Sequence, residues 1–337
     1  LHTVLLATIQ EFIATAEPVG SHQIVRRYPL GVRAAMVRNL MAELEETGYL
    51  QQPHTSAGRI PTDKAFRHYV DGVIARRRIG FEDRAQIELH YSEHNRPGDI
   101  EETMRDTSRL LALLTGQAAL VMPPRLEALS LESVNFVRLR EGQALAVFVT
   151  TAGGMHSRLI ETDNDHSQTE LDRMANYLND CLHGRTLDEA RTWIELELKR
   201  ERARYDRFVH SALVMGELAA TRRRTVELYI DGSSHVLEQP EFTDRARLRE
   251  LLRALEDKTS LLDLLERSLK QSEPMVLIGA ENLDLRLSGF SVVAACYQSG
   301  STPLGSLAIV GPVRMDYQRV IPLVEYTARA LSRILEH

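Results

Sequence analysis

Residues 53–62 are the feature that most constrains the fold of this chain. They read Pro-His-Thr-Ser-Ala-Gly-Arg-Ile-Pro-Thr, a run with prolines near both ends, small polar residues, one glycine and one arginine. Such a composition is typical of the turn of a β-hairpin. We therefore expect residues 49–52 and 59–61 to form the arms of a short hairpin, with residues 54–58 at its tip and Arg59 at the apex.

Three helical segments are predicted before this hairpin. Residues 3–16 have apolar side chains at helical spacing, and the Glu-Pro-Val-Gly run at 17–20 ends that helix. Ser21 is a suitable N-cap for a short helix that reaches residue 28. A third helix is expected from 33 to 46. The spacing of the second and third helices suits a helix-turn-helix, and the hairpin that follows predicts a winged-helix DNA-binding domain.

The third helix is predicted to present one face to DNA. Its apolar stripe, which should pack on the first two helices, consists of Val37, Leu40, Met41 and Leu44. The face that points away carries Ala35, Met36, Asn39, Ala42 and Glu43, with Arg38 on its flank. Small residues let a helix enter the major groove, and Arg and Asn can pair with guanine and adenine. The alternative is the ordinary surface helix of a three-helix bundle.

Further DNA contacts are predicted around this helix. Arg59 would enter a minor groove or bind phosphate, and its alternative is a solvated loop arginine. His54 and Ser56 would donate hydrogen bonds to phosphate. Ser21 and Arg33, at the starts of the second and third helices, complete the predicted DNA-binding set. The arginine run at 76–78 is more typical of a solvated helix end.

The charge of the chain is unevenly spread. The whole chain has a formal net charge of −6, yet residues 1–80 carry ten Lys and Arg against seven Asp and Glu. A basic N-terminal segment on an acidic body indicates that only this segment meets a polyanion.

The remaining sequence predicts an α+β arrangement. Residues 79–98 are expected to be a connector, followed by a helix at 100–114. Strand-like runs are found at 119–122, 131–139, 144–150, 156–160, 226–230, 275–279, 290–297 and 306–311. Further helices are expected within 168–224, within 244–270 and at 316–335. Strands separated by a charged, helix-rich segment predict one α+β domain that is interrupted by a second module.

Several classes of protein are disfavoured by the composition. The chain has 337 residues and two distant cysteines, Cys181 and Cys296, which indicates a reducing, cytoplasmic setting and two to three domains. Apolar runs are too short to cross a membrane. Cys181 and His183 would face apart on a helix, and the usual nucleophile, phosphate-loop and metal motifs are missing. We therefore expect neither an enzyme nor a bound cofactor or metal.

Several segments together resemble the heat-inducible transcription repressors of the HrcA family. They lie at residues 17–21, 28–31, 37–39, 44–50, 53–63, 239–242, 278–282 and 310–317. The segments at 53–63 (Pro-His-Thr-Ser-Ala-Gly-Arg-Ile-Pro-Thr-Asp) and 310–317 (Val-Gly-Pro-Val-Arg-Met-Asp-Tyr) are the most specific. The resemblance extends over nearly the whole chain.

The resemblance implies an architecture and a function. It implies a winged-helix domain with a linker helix at 1–78, a GAF-like domain in two parts at 79–165 and 236–337, and an inserted dimerising domain at 166–235. It also implies a homodimer that represses chaperone operons at an inverted-repeat operator of the CIRCE type. The GroE chaperonin would keep such a repressor active.

One segment departs from the family pattern. Where the family usually has a serine and, three residues later, a threonine at the start of the recognition helix, this chain has Arg33 and Met36. The loss of a serine N-cap costs about 1 kcal/mol of stability, and the hydroxyl of the threonine is replaced by the thioether side chain of Met36.

Two other functions are compatible with the sequence. The first is a ligand-sensing winged-helix repressor whose GAF-like domain binds a small metabolite, which a polar pocket would favour. The second is an enzyme built on the C-terminal α+β domain.

Overall fold

The computed structural model describes residues 1–54, 57–74, 78–94, 100–125, 129–151, 155–162, 164–201, 207–220, 228–236, 239–285 and 289–335. Its helices are α1 (His2–Thr15), α2 (Ser21–Arg27), α3 (Ala34–Glu46), α4 (Asp63–Ile74), α5 (Phe81–His94), α6 (Ile100–Thr115), α7 (Gln168–Leu182), α8 (Leu187–Glu201), α9 (Arg207–Ala220), α10 (Ser233–Val236), α11 (Arg245–Glu256), α12 (Lys258–Ser268) and α13 (Tyr317–Leu335). Its strands are β1 (Leu50–Gln51), β2 (Ile60–Pro61), β3 (Ala118–Val121), β4 (Leu131–Arg140), β5 (Gln143–Thr150), β6 (Met155–Glu161), β7 (Tyr229–Asp231), β8 (Met275–Ile278), β9 (Phe290–Ser299) and β10 (Thr302–Pro312). The mixed α+β class agrees with the sequence prediction.

The N-terminal unit, residues 1–74, is here called the head. Its first three helices are followed by an antiparallel hairpin in which Leu50 pairs with Pro61 and Gln51 with Ile60. The predicted N-cap is wrong by one residue. Gly20 has extended backbone angles and occupies the cap position, whereas Ser21 is the first residue of α2 and its side chain is largely buried.

Residues 79–98 are not a connector, because α5 occupies most of them. Ile87 and Tyr91, one turn apart, are buried, and they pack in the same core as α13. The hydroxyl groups of Tyr91 and Thr107 are 2.9 Å apart, which ties α5 to α6.

A five-stranded antiparallel sheet forms the body of the protein. Its strand order is β7-β3-β10-β9-β8. Alternate residues face opposite sides of a strand, and the two faces contribute to two different apolar cores. One face packs with α6, α13 and the head, and the other packs with α11 and α12.

A separate unit lies between β3 and β7 and is here called the insert (residues 129–220). Strands β4-β5-β6 form its three-stranded sheet, and α7 packs on β4 while α9 packs on β6. These strands and helices share a core of their own. The expected boundary at residue 165 therefore divides this unit, because β4–β6 pack with the inserted helices and not with the five-stranded sheet.

The head packs directly on the body. Head residues such as Phe66 and Tyr69 share one apolar core with Tyr317 and Val320 of α13. The ring centroids of Phe66 and Tyr317 are 6.1 Å apart. The two domains that were expected on either side of residue 78 therefore share one packed apolar core. Within the described ranges, none of the helices combines the length and the apolar character that crossing a bilayer requires.

Candidate nucleic-acid interface

Helix α3 presents to solvent the face that was predicted to meet DNA. Val37, Met41 and Leu44 are buried against the rest of the head, which confirms the predicted apolar stripe. The opposite face is exposed and carries Ala35, Met36, Arg38 and Asn39. The amphipathic spacing of α3 dictates this orientation, since burying one stripe turns the other residues outward. The contact of these side chains with DNA stays a prediction.

The N-terminus of α3 is open. Arg33 occupies the N-cap position with extended backbone angles, and its side chain makes no capping hydrogen bond. Helix α3, which is described in full, has no acidic residue in its first turn. The partial positive charge of this helix end is therefore not offset locally, which suits an approaching phosphate.

The hairpin tip is held by local hydrogen bonds. The backbone N–H of Ala57 donates to the carbonyl oxygen of His54 (2.9 Å), and Gln52 Nε2 donates to the carbonyl oxygen of Ala57 (2.9 Å). The His54 side chain is exposed, as its predicted role requires. Ser56 lies outside the described residues.

Glycine is required where the hairpin crosses the segment between α1 and α2. A Cβ on Gly58 would lie 2.6 Å from the carbonyl carbon of Val19 and 2.7 Å from that of Pro18. The chain can pass this close only without a side chain. The hairpin is thereby held against Val19, and its position relative to α3 is fixed.

Arg59 is not at the apex of the hairpin. Its backbone pairs with Val19 through two hydrogen bonds of 2.9 Å. Its side chain is only 17% exposed, and Nε donates to Glu45 Oε2 (2.9 Å) near the end of α3. The expected location was wrong because the extended segment at Val19 adds a third pairing partner to the hairpin. In this geometry Arg59 positions the hairpin against α3, and its direct contact with DNA stays a prediction.

Helix α2 is positioned by a buried carboxylate that the sequence analysis missed. Glu11 of α1 is 1% exposed in its side chain. It accepts hydrogen bonds from Gln23 Nε2 (2.7 Å), Arg27 Nη1 (2.9 Å) and the Tyr28 hydroxyl (3.4 Å). Burial and the charge of Glu11 raise the pKa of Tyr28. The sequence signal that could have indicated this contact was the position of Glu11 beside the apolar stripe of α1.

Two remaining predictions concern Ser21 and the cysteines. Ser21 is 8% exposed, which leaves its hydroxyl little surface for DNA.

Cys181 and His183 were considered as a possible pair of metal ligands. Burial raises the pKa of the Cys181 thiol, and His183 Nδ1 lies 3.0 Å from the carbonyl oxygen of Glu132. In the part of the chain that is described, His, Cys, Asp and Glu side chains form no cluster of three that could hold a metal.

A polar cavity of about 170 Å³ lies where the head meets the body. Its polar lining residues are Thr115, Gln117, Gln239, Arg314, Asp316 and Arg319. Arg314 Nη1 donates to the carbonyl oxygen of Ile13 (3.1 Å), so one wall of the cavity joins the two units. Among the described residues, Gln117 Oε1 is buried without a hydrogen-bond partner.

The chain is similar to known repressors over almost its full length. Residues 101–321 match the family described as HrcA protein C terminal domain. The chain is 42% identical over 333 residues to the heat-inducible transcription repressor HrcA of Geobacter sulfurreducens, covering 99% of this chain and 96% of that protein. It is 38% identical over 335 residues to the protein of the same name from Syntrophobacter fumaroxidans, with 99% and 96% covered.

A solved structure supports the fold. A crystal structure of a hypothetical protein at 2.2 Å resolution matches with a TM-score of 0.65 and 26% sequence identity, over 99% of this chain and 97% of that one. The curated relatives are named as repressors and not as enzymes, in agreement with the sequence prediction. Together with the family match, these identities show that the chain belongs to the HrcA family of heat-inducible transcription repressors.

Proposed function

We propose that this chain is a cytoplasmic negative regulator of heat-shock (chaperone) operons. It binds a CIRCE-type inverted-repeat operator as a homodimer, and the GroE chaperonin modulates its activity. The observation that carries the proposal is the exposed face of α3, on which Arg38 and Asn39 stand beside the small Ala35. This face has the shape and the donors that major-groove readout needs.

The hairpin supports the same mode of binding. It is joined to α3 by the Arg59–Glu45 ion pair and to Val19 by backbone pairing. His54 is exposed at its tip. A helix in the major groove with an adjacent hairpin on the phosphates would give sequence readout from α3 and salt-dependent affinity from both.

Dimerisation is proposed through the outer face of the insert sheet. Val137, Leu145 and Leu159 are directly opposite one another across β4, β5 and β6. Val137 and Leu159 are exposed, as are Leu139 and Met155 on the same strands, Met155 to 72%. The other face of this sheet is covered by α7–α9. An exposed apolar sheet face of this kind supports an interface at this position, and a two-fold axis would cover it with its own copy.

This location refines the expectation from sequence. The interface was expected on the charged helices of the insert. The helices α7–α9 instead bury most of their apolar residues against the strands, and most of the exposed apolar side chains of the described insert lie on β4 and β6, while Leu196 of α8 is also exposed. A two-fold dimer formed there would present two heads to the two halves of an inverted repeat.

Modulation by chaperonin is supported by the large sequence separation between paired strands of the body. Strand β3 pairs with β10, whose residues lie nearly two hundred positions later in the sequence, so this central pairing cannot form until most of the chain is present. Pairings of this kind form slowly and leave apolar surface exposed. A chaperonin would raise the fraction of competent dimer without changing the affinity of each dimer.

Footprinting tests the proposed function. The protein is incubated with the promoter region of a chaperone operon from its own genome, and cleavage protection is mapped. Symmetric protection of both halves of an inverted repeat is expected. Protection that is absent, or spread evenly over the fragment, would reject the proposal.

A parallel titration of operator DNA, after the protein is diluted from denaturant with and without GroE and nucleotide, tests the role of the chaperonin. We expect the chaperonin to increase the number of active DNA-binding sites and to leave the dissociation constant unchanged. An unchanged number of active sites would reject the role of the chaperonin.

A second candidate function is favoured by the polar cavity between head and body. It would make the chain a repressor that senses a small metabolite. The refolding titration separates the two candidates. Recovery of active sites by a small metabolite alone, with no effect of GroE, would support this second function.

A further inference from the structure

The first turns of α4 reach from the head to a turn of the body. Arg67 Nε donates to Glu281 Oε1 (2.8 Å), Nη2 donates to Glu281 Oε2, and Nη2 also donates to the carbonyl oxygen of Val276 (2.7 Å). One helical turn earlier, Asp63 Oδ2 accepts a hydrogen bond from the backbone N–H of Ala280 (2.9 Å). Residues four apart lie on the same face of a helix, so both side chains meet the same turn.

The turn of the body is shaped for this contact. Gly279 has φ of +49°, a conformation that other residues adopt with strain. A Cβ at this position would also lie 2.1 Å from Asp63 Oδ2. The Glu281 carboxylate is also oriented by a contact within the body, because its Oε2 accepts a hydrogen bond from the backbone N–H of Ile278 (2.9 Å). We call Asp63, Arg67, Gly279, Ala280 and Glu281 the clamp.

The clamp lies beside a packed apolar contact. Phe66, between the two clamp residues of α4, is buried against Tyr317 of α13. Burial opposes the charge of Arg67, but the hydrogen bonds and the charge of Glu281 outweigh it and raise the pKa of the guanidinium. The Arg67 guanidinium is therefore charged under physiological conditions.

A second group of contacts holds α5 and α1 to the start of α13. Arg319 Nη2 and Nε donate to the two carboxylate oxygens of Asp83 at 2.8 and 3.1 Å. Arg314 Nη1 donates to the carbonyl oxygen of Ile13 in α1. The Arg314–Ile13 contact joins the head to the body at a second point, while the Arg319–Asp83 pair holds α5, which lies outside the head, to α13.

We propose that the clamp determines which spacing between operator half-sites the protein accepts. This inference rests on the proposed function, in which two heads bind two half-sites. When each head is fixed on its body, the distance and angle between two recognition helices are set by the dimer, and one half-site separation fits. When the clamp is broken, each head turns on its apolar contact and several separations fit. The clamp residues are positioning residues, since the bases are read by α3.

The test compares two clamp variants with a matched control. Gly279→Ala pushes the Asp63 carboxylate away, and Glu281→Gln removes the charge that pairs with Arg67. The control is Asp71→Asn, because the Asp71 carboxylate also contacts Arg67 (3.5 Å) but lies in α4 and does not reach the body. Circular dichroism checks that each variant is folded, and Glu281→Gln serves if Gly279→Ala is not.

The DNA probes are duplexes that the protein itself selects, so no operator sequence has to be assumed. The unaltered protein selects an inverted repeat from a random pool, and one, two or five base pairs are then inserted between its halves. We expect the unaltered protein and Asp71→Asn to lose at least about tenfold in affinity on each insertion. The clamp variants should lose less than about threefold, while all four proteins bind an isolated half-site equally. Identical spacing profiles, or tighter binding of the original duplex by the clamp variants, would overturn the proposal.

A DNA-free arm separates failure of the clamp from failure of the proposed function. Spin labels are attached at Glu46 of the head and Lys270 of the body, both exposed, after Cys181 and Cys296 are replaced by serine. The distance distribution between the labels should be narrow in the unaltered protein and broad in Gly279→Ala. Distance distributions of equal width in the two proteins would overturn the proposed role of the clamp, independently of the DNA-binding results. Selection of no inverted repeat would reject the proposed function, and the spacing role with it, even if the clamp proves rigid.

Discussion

Arg59 Nε donates a hydrogen bond of 2.9 Å to Oε2 of Glu45 and so joins the base of the hairpin to α3. Both partners belong to the head, but one follows the hairpin turn and the other lies near the end of the helix. The pair links the two parts of the head that the proposed function brings to DNA. Its removal should therefore affect DNA binding more than folding.

Glu45→Ala is expected to lower operator affinity by about tenfold and the free energy of unfolding by at most about 1 kcal/mol, because the pair is partly exposed. The matched control is Glu46→Ala, which removes the same charge from the exposed neighbour. Fluorescence anisotropy with labelled operator and urea unfolding provide the two quantities. If the two variants lose affinity equally, charge alone accounts for the effect and Arg59 does not position the hairpin.

Arg33→Ser is expected to stabilise the protein. Arg33 occupies the N-cap of α3 without a capping hydrogen bond, and a serine there accepts one from the first turn, which contributes about 1 kcal/mol. Thermal or urea unfolding of the two proteins measures the difference. An unchanged or lower free energy of unfolding would show that the open helix end is satisfied in another way.

Leu159→Glu is expected to produce monomers. The substitution places a charge in the middle of the exposed apolar face of the insert, where a second copy would exclude water from it. Leu113→Glu is the control, since Leu113 is also exposed, to 72%, but lies on α6 of the body. Sedimentation equilibrium gives the mass of each variant. A dimeric Leu159→Glu protein would place the interface elsewhere.

Alkaline pH is expected to unfold the protein as its buried tyrosines ionise. Burial and the negative charge of Asp316 raise the pKa of Tyr69 to about 12, and burial raises the pKa values of Tyr91 and Tyr317 further. The unfolded chain loses these protons near pH 10 and the folded chain retains them. The free energy of unfolding should therefore be unaffected by these groups below about pH 10 and fall above it.

The absorbance of tyrosinate and the circular dichroism signal, followed together, test this expectation. Ionisation of the buried tyrosines should coincide with loss of structure. Ionisation of all ten tyrosines near pH 10 in a chain that remains folded would contradict the burial of these side chains.

Local patterns in the sequence were sufficient to predict most elements. The stripe of Val37, Met41 and Leu44 has a helical period because it faces a core, and the same period defines which residues of α3 are exposed. Helix α5 was missed because Ile87 and Tyr91 are the buried apolar residues among its described side chains, and two apolar positions make no recognisable stripe.

Relations between distant residues could not be predicted. The alternation along β4 indicates a strand that is buried on one face, but not whether the five-stranded sheet or the inserted helices cover that face. Likewise, a solvated arginine and a paired one look alike in sequence. The partners Glu45 for Arg59 and Glu281 for Arg67 appear only once the chain is folded.

The most direct test of the central claim, sequence-specific binding by α3, is a titration of operator DNA at several salt concentrations. The unaltered protein should bind the selected inverted repeat far more tightly than a shuffled duplex, and its affinity should fall steeply with salt. Arg38→Ala and Asn39→Ala should each cost about 1–3 kcal/mol on the inverted repeat and little on the shuffled duplex. Arg26→Ala, which removes an exposed charge from α2, should weaken both duplexes evenly. Equal affinity of all these proteins for the inverted repeat, or equal binding of both duplexes by the unaltered protein, would contradict the account.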